Sequence, residues 1–187
     1  RGMMKQIVLT GTGGQGLILA GIILAEAAVL DGKQAIQTQS YGPEARGGAS
    51  KAEVIISEET IDYPKVLKAD VLLAMSQEAF NKYGAGVGAA GSLIVDSTFV
   101  RELKETPAKL VALPITKAAK EELGRDMFAN IIALGAIVGL TKTVSRDSLV
   151  AAVLARVPKG TEAKNTQAID IGFRLAPRLN AAGRIGS

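Results

Sequence analysis

A glycine-rich segment between a strand-like run and a helix-like run is the first candidate site. Residues 11–16 read Gly-Thr-Gly-Gly-Gln-Gly and match the pattern G-x-G-x-x-G. In this setting we expect a tight turn at Gly11, an exposed backbone at Gly13 and close helix–strand contact at Gly16. Amides at the start of the helix could bind an anion, with the Gln15 side chain as a further donor. The pattern therefore predicts either a phosphate or partner contact, or only close packing of the helix on the sheet.

A nicotinamide dinucleotide would need more than this glycine pattern. Dinucleotide-binding domains hold the ribose with an acidic residue at the end of the second strand, or accommodate a 2′-phosphate with an arginine. The second strand-like run here ends Gln37-Thr38-Gln39-Ser40, which offers neither. A nicotinamide enzyme is therefore disfavoured.

A second polar loop follows that strand and reads Tyr-Gly-Pro-Glu-Ala-Arg-Gly-Gly over 41–48. Ligands of open α/β sheets bind at the carboxyl ends of strands, so we expect this loop at the same sheet edge as the glycine loop. Tyr41, Glu44 and Arg46 are its polar side chains. Glu44 and Arg46 could pair with each other, with a ligand or with another chain, and Arg46 could hold a phosphate or carboxylate through two hydrogen bonds. The alternative is a surface turn with incidental charges.

Three other polar sites have a simpler interpretation. Ser76-Gln77 and Asp96-Ser97-Thr98 both follow strand-like runs, and helix or turn capping is favoured over ligand contact for each. Asn130 on an apolar helix is either a buried, hydrogen-bonded residue or an interface contact.

The composition excludes several kinds of chemistry for this chain. With no Cys and no His among 187 residues, it has no disulfide, no Cys-ligated iron–sulfur cluster, no His-ligated metal and no Ser-His-Asp triad. The net charge of +4 fits a phosphate ligand or an acidic partner, without the clustered Lys and Arg typical of nucleic-acid binding. Neither a signal peptide nor a membrane span is expected, which indicates a cytoplasmic protein.

The order of elements predicts the fold. Apolar and β-branched runs predict strands over 6–10, 34–39, 50–57, 71–75, 93–96 and 110–113, with a Gly/Ala-rich turn over 84–91. Helical patterns cover 15–30, 116–123, 126–140, 145–157 and 164–179, and Ser76 caps a short further helix. We expect one α/β domain over 3–187, a three-layer Rossmann-like fold with a mainly parallel sheet and a helical C-terminal part.

The two loops in this order resemble the gamma subunits of 2-oxoacid:ferredoxin oxidoreductases. The resemblance covers nearly the whole chain. The wording Ser-Tyr-Gly-Pro-Glu-Ala-Arg-Gly-Gly at 40–48 is closer to the 2-oxoglutarate-type subunits, since pyruvate-type subunits more often carry Glu-Arg-Arg-Gly.

The resemblance implies a role inside a larger complex. Such complexes decarboxylate a 2-oxoacid on thiamine diphosphate, pass electrons through iron–sulfur clusters to ferredoxin and form an acyl-CoA. The alpha and beta subunits hold thiamine diphosphate, and cysteine-bearing chains, among them a ferredoxin-like subunit, hold the clusters. The gamma chain would have no catalytic residue or metal, no membrane or nucleic-acid partner and no activity alone.

By the same resemblance, two sets of residues would face partner subunits or CoA at a shared interface: Gly11, Gly13, Gly14, Gln15 and Gly16, and Tyr41, Gly42, Pro43, Glu44, Arg46 and Gly47. A stand-alone nucleotide- or CoA-binding Rossmann-like module is the alternative function.

Overall fold

A computed structural model describes residues 4–41, 48–62, 66 and 68–177. Within them, six strands form one sheet in the order β2-β3-β1-β4-β5-β6. The strands are β1 (Met4–Thr12), β2 (Gln34–Tyr41), β3 (Ala49–Ser57), β4 (Ala69–Ala74), β5 (Val87–Asp96) and β6 (Lys109–Leu113). The α-helices are α1 (Leu17–Leu30), α2 (Gln77–Tyr83), α3 (Ile115–Leu123), α4 (Ala129–Thr141), α5 (Arg146–Leu154) and α6 (Glu162–Leu175).

The sheet is mixed. The pairs β1–β4, β4–β5 and β5–β6 are parallel, whereas β3 runs antiparallel to both β1 and β2. Parallel neighbours need a crossover of a dozen or more residues, and only the short segment 42–48 separates β2 from β3. β3 must therefore reverse direction. The predicted α/β fold class is confirmed, and its parallel neighbours are β1, β4, β5 and β6.

Helices cover both faces of the sheet, which confirms the three layers. Successive residues of a strand point to opposite faces. Accordingly, Ile7 and Leu9 pack into the large core under α1 and α3–α6, whereas Val8 lies in the smaller core with Phe80 of α2. The helical C-terminal part thus forms most of one layer.

Several predicted boundaries are wrong for identifiable reasons. α6 ends at Leu175, short of the predicted 179, because Pro177 restricts the residue before it and Ala176 is extended (φ −62°, ψ 136°). The helix predicted over 126–140 begins only at Ala129, since residues Asp126–Phe128 form a 3₁₀ turn ahead of α4.

The predicted turn over 84–91 is also too long. β5 begins at Val87, and its small residues permit a close approach to β4. A Cβ on Gly91 would lie 2.7 Å from the carbonyl oxygen of Asp70. Gly91 therefore allows the backbones of β4 and β5 to approach closely where their register shifts, and it does not form a turn.

Candidate functional site

The carboxyl ends of β1, β4, β5 and β6 meet at one edge of the sheet, because these strands are parallel to one another. β2 ends at the same edge, since two antiparallel pairings restore its direction. Ser50 of β3 lies opposite both Gly11 and Tyr41. The second polar loop therefore begins, at the end of β2, at the sheet edge that holds the glycine loop, as predicted. The positions Gly42, Pro43, Glu44, Arg46 and Gly47 lie outside the described residues.

Gly11 is favoured by packing and not by a turn. It lies within β1, where a Cβ would come within 2.3 Å of Gln15 Oε1 and 2.4 Å of Leu17 Cδ1. The tight turn predicted at Gly11 is therefore wrong. The chain bends only at the 3₁₀ turn Gly13–Gln15.

The backbone is open at the next two glycines. Gly13 and Gly14 are exposed, and a Cβ on either would meet no atom within 4 Å. The predicted exposure at Gly13 is confirmed. Exposed backbone at this point lets another molecule approach the peptide groups closely.

Gly16 contacts a helix rather than a strand. Its φ is +72°, in the left-handed region that favours glycine, and a Cβ would lie 2.7 Å from Asn130 Nδ2. Asn130 of α4 donates to the Gly16 carbonyl at 3.2 Å. The expected helix–strand contact at Gly16 is therefore wrong. Asn130 is half-buried and fixes the beginning of α1 against α4.

The Gln15 side chain ties the glycine loop to the end of β4. Its Oε1 accepts from the Thr12 amide at 2.8 Å, and its Nε2 donates to the Met75 carbonyl at 3.0 Å. Both ends of the amide are thus engaged within the chain. What the loop can offer a ligand is the backbone around Gly13 and Gly14, held in place by Gln15.

The capping interpretations of Ser76 and Asp96 are confirmed. Ser76 Oγ accepts from the Ala79 amide at 3.1 Å at the start of α2. The fully buried Asp96 carboxylate accepts from the amides of Thr98 and Ile115, both at 3.0 Å, and from Thr116 Oγ1 at 2.6 Å. Asp96 therefore joins β5 to the first turn of α3 and is used structurally.

A cavity of about 450 Å³ lies against the glycine loop. The polar part of its wall includes Gly14, Gln15 and Asn130. Its apolar part includes Phe99 and Met127, which are 44% and 48% exposed. A concave surface with exposed large apolar groups beside ordered polar groups is typical of a binding site.

Sequence reasoning missed Phe99 and Met127. Phe99 falls in a turn after β5, and the pattern placed Met127 inside a helix. The only available signal was position: Phe99 comes just after a strand that ends at the predicted edge, and Met127 comes just after the glycine that ends a helix.

The described part of the chain contains no group of three or more Asp, Glu, His or Cys residues that could hold a metal ion. In the same part, no helix is both long and apolar enough to cross a membrane. The described part of the site can therefore offer a ligand amides, hydroxyls, apolar contacts and one carboxylate, that of Asp126.

Three comparisons with known proteins agree with one another. A family model described as pyruvate ferredoxin/flavodoxin oxidoreductase matches residues 6–175. The 2-oxoglutarate synthase subunit KorC of Methanocaldococcus jannaschii is 49% identical over 180 residues, covering 95% of this chain and 96% of that protein.

Solved structures extend the likeness to the fold. The gamma subunit of a keto/oxoacid ferredoxin oxidoreductase from Geobacter sulfurreducens is 50% identical, with a TM-score of 0.84 over 92% of this chain and 98% of that chain. The 2-oxoglutarate:ferredoxin oxidoreductase of Magnetococcus marinus, solved with 2-oxoglutarate, coenzyme A and succinyl-CoA bound, is 25% identical, with a TM-score of 0.82. The match covers 92% of this chain and 31% of that longer chain.

Proposed function

Because this chain belongs to the pyruvate ferredoxin/flavodoxin oxidoreductase family, we propose that it is the gamma subunit of a multi-subunit 2-oxoacid:ferredoxin oxidoreductase. The observation that carries the proposal is the near full-length likeness to a 2-oxoglutarate synthase subunit. We propose 2-oxoglutarate as the 2-oxoacid on the same ground. The complex would oxidise and decarboxylate it, form succinyl-CoA and pass the electrons to ferredoxin in the cytoplasm.

The chemistry of the side chains supports a division of labour between subunits. Iron–sulfur clusters are held mainly by Cys thiolates, and this chain has no Cys and no His. Its residues do not fit a cluster, so we assign the clusters to a ferredoxin-like partner subunit. Thiamine diphosphate is assigned to the alpha and beta subunits. This chain would then bind and position CoA or a partner subunit, and it would be inactive alone.

The glycine-loop cavity is the part of this chain that we propose to face CoA or a partner subunit. Three features support this: the open backbone at Gly13 and Gly14, the exposed Phe99 and Met127, and the fixed geometry that Gln15 gives the loop. The chain would contribute a rigid wall that orients a ligand and excludes water. The predicted contacts of Glu44 and Arg46 remain predictions.

Reconstitution tests the function. The chain is purified with its alpha, beta and ferredoxin-like partners, and ferredoxin reduction is measured with 2-oxoglutarate and CoA. We expect activity only in the full complex, and a higher kcat/KM for 2-oxoglutarate than for pyruvate. Activity of this chain alone would overturn the proposal. CoA binding by this chain with no assembly would favour a stand-alone CoA-binding module instead.

Filling the cavity tests the site. A Cβ at Gly14 would have no described atom within 4 Å, so Gly14→Phe should fold normally and yet occupy the space that a ligand or partner needs. We expect at least about a tenfold loss of kcat/KM for CoA or of affinity for the partner subunits, equivalent to about 1.4 kcal/mol.

Gly86→Phe is the matched control for Gly14→Phe. Gly86 is also exposed, has no positive φ and lies before β5, at the opposite edge of the sheet. This variant should keep both activity and assembly. Equal behaviour of the two variants would remove the glycine loop from the proposed interface.

A further inference from the structure

A second cavity, of about 440 Å³, opens at the same sheet edge and shares no lining residue with the cavity at the glycine loop. Ser97 and Thr98, just after β5, form one side of it. Arg101 extends that side, and Lys117 and Lys120 of α3 lie across from it. The volume is within the range of small-molecule sites, about 300–1,000 Å³.

The wall of this cavity carries excess positive charge. Arg101, Lys117 and Lys120 oppose a single carboxylate, Glu121, which leaves a formal charge of +2 from three cations and one anion. Within the described residues, the ammonium groups of Lys117 and Lys120 form no ion pair or hydrogen bond, and Glu121 has no basic partner. Residues three apart share a helix face, so the two lysines point the same way.

The arginine side of the cavity is already held in place. Gln77 Oε1 accepts from the amides of Arg101 and Glu102, both at 2.9 Å. The Arg101 guanidinium donates to the Thr98 carbonyl from Nε at 3.3 Å and from Nη2 at 3.2 Å. Its Nη1 makes no hydrogen bond with the described chain. An ordered guanidinium loses less entropy when it binds an anion.

The first amides of α3 do not contribute. Asp96 accepts from the Thr116 amide, and Thr98 Oγ1 accepts from the Lys117 amide at 3.0 Å. A ligand here would therefore be held by the side chains of Arg101, Lys117 and Lys120. The buried Asp96 carboxylate behind the wall is occupied by its own donors.

We propose that this cavity binds a small phosphate-bearing molecule with at least two negative charges, the charge that balances the wall. A diphosphate offers several acceptor oxygens to one guanidinium and two ammonium groups. The source of the phosphate is either a free anion or the nucleotide end of a larger ligand, and both present the same chemistry to the cavity.

The test is calorimetric titration of the whole chain with pyrophosphate, ADP and 3′,5′-ADP, the last being the nucleotide end of CoA. The test variant is Lys117→Gln/Lys120→Gln. The control, Lys109→Gln/Lys159→Gln, removes the same charge from exposed lysines outside the cavity. We expect the test variant to weaken pyrophosphate binding at least about tenfold, and the control to change it less than about twofold.

The three ligands separate the sources. Tighter, competitive binding of 3′,5′-ADP would assign the site to a CoA-like nucleotide, and preference for pyrophosphate would assign it to a free anion; either result supports the site. No binding of any ligand to the unaltered chain, or an equal loss in both variants, would overturn the proposal. Thermal unfolding of both variants confirms that the fold is intact.

Discussion

Individual residues of the glycine loop divide into those that hold the chain together and those that face outward. A Cβ on Gly11 would crowd the side chains of Gln15 and Leu17, and Gly16 has a φ of +72° that favours glycine. Gly14, by contrast, lines the cavity, and a Cβ there would have no atom of the described residues within 4 Å. One short motif therefore contains both structural and binding positions, and substitutions at its glycines will have different effects.

Gln15→Ala should destabilise the chain without filling the cavity. It removes hydrogen bonds to the Thr12 amide and the Met75 carbonyl. The expected loss in the free energy of unfolding is about 1–3 kcal/mol, measured by urea denaturation. Gln167→Ala, on the exposed side of α6, should change stability by less than about 0.5 kcal/mol. A Gln15→Ala chain as stable as the original would show that the loop holds its shape without this amide.

At the scale of elements, α4 and α6 pack with their backbones in close contact. A Cβ on Gly135 would lie 2.3 Å from the Ile169 carbonyl oxygen, and one on Gly172 would lie 2.2 Å from that of Ile132. The obstacles are backbone atoms, which cannot rotate away. This crossing places α4, and with it Asn130 and the beginning of α1.

Gly172→Ala should therefore be destabilising although alanine is the better helix former. Its propensity gain, about 1 kcal/mol, is smaller than the cost of moving two helices apart. We expect a net loss of about 2 kcal/mol in the free energy of unfolding, seen as a lower Tm. Gly13→Ala, in open space, should stay within about 0.5 kcal/mol. Equal Tm values for the two variants would mean that the crossing can relax.

Across the whole molecule, carboxylates link helices that are distant in sequence. Burial raises the pKa of Asp31, but hydrogen bonds from Ser148 and Ser145 outweigh it and leave the pKa lowered. A hydrogen bond from Arg156 lowers the pKa of Glu26. These contacts attach α1 to α5 and to the residues after it.

Acid should therefore loosen the attachment of α1 to α5. A carboxylate whose pKa is lowered by folding stabilises the fold above its ordinary pKa, which is 3.8 for Asp31, and that contribution is lost as the pH falls through the lower folded value. Asp31→Asn should lower Tm near neutral pH and show a shallower further loss of Tm below about pH 4.

The matched control for Asp31→Asn is Asp147→Asn, which removes an exposed carboxylate from the first turn of α5. Its Tm should fall in acid as steeply as that of the original chain. The pH dependence assigned to Asp31 would be wrong if Asp31→Asn kept the original slope.

Most elements were predictable because their signals are local. Ser76 and Ser145 cap their helices as their residue type predicts, and Gly124 ends α3 with a φ of +83°. The start of β5 was missed because residues 88–91, which follow Val87, are all Gly or Ala and have little strand preference. β4 pairs with Val87 and then, after a shift in register, with Ser92.

The sequence by itself excluded Cys- and His-based chemistry in this chain, since the absence of these residues is visible without a structure. It also determined the α/β class, through strand and helix periodicities, and the place of the glycine loop between β1 and α1. Only the tertiary structure decided that β3 is antiparallel and that both ends of the Gln15 amide are used within the chain. It also decided that Phe99 and Met127 line one cavity, while Arg101 and Lys117 line another. The physical reason is that these roles depend on contacts between residues far apart in the chain, which a local pattern does not encode.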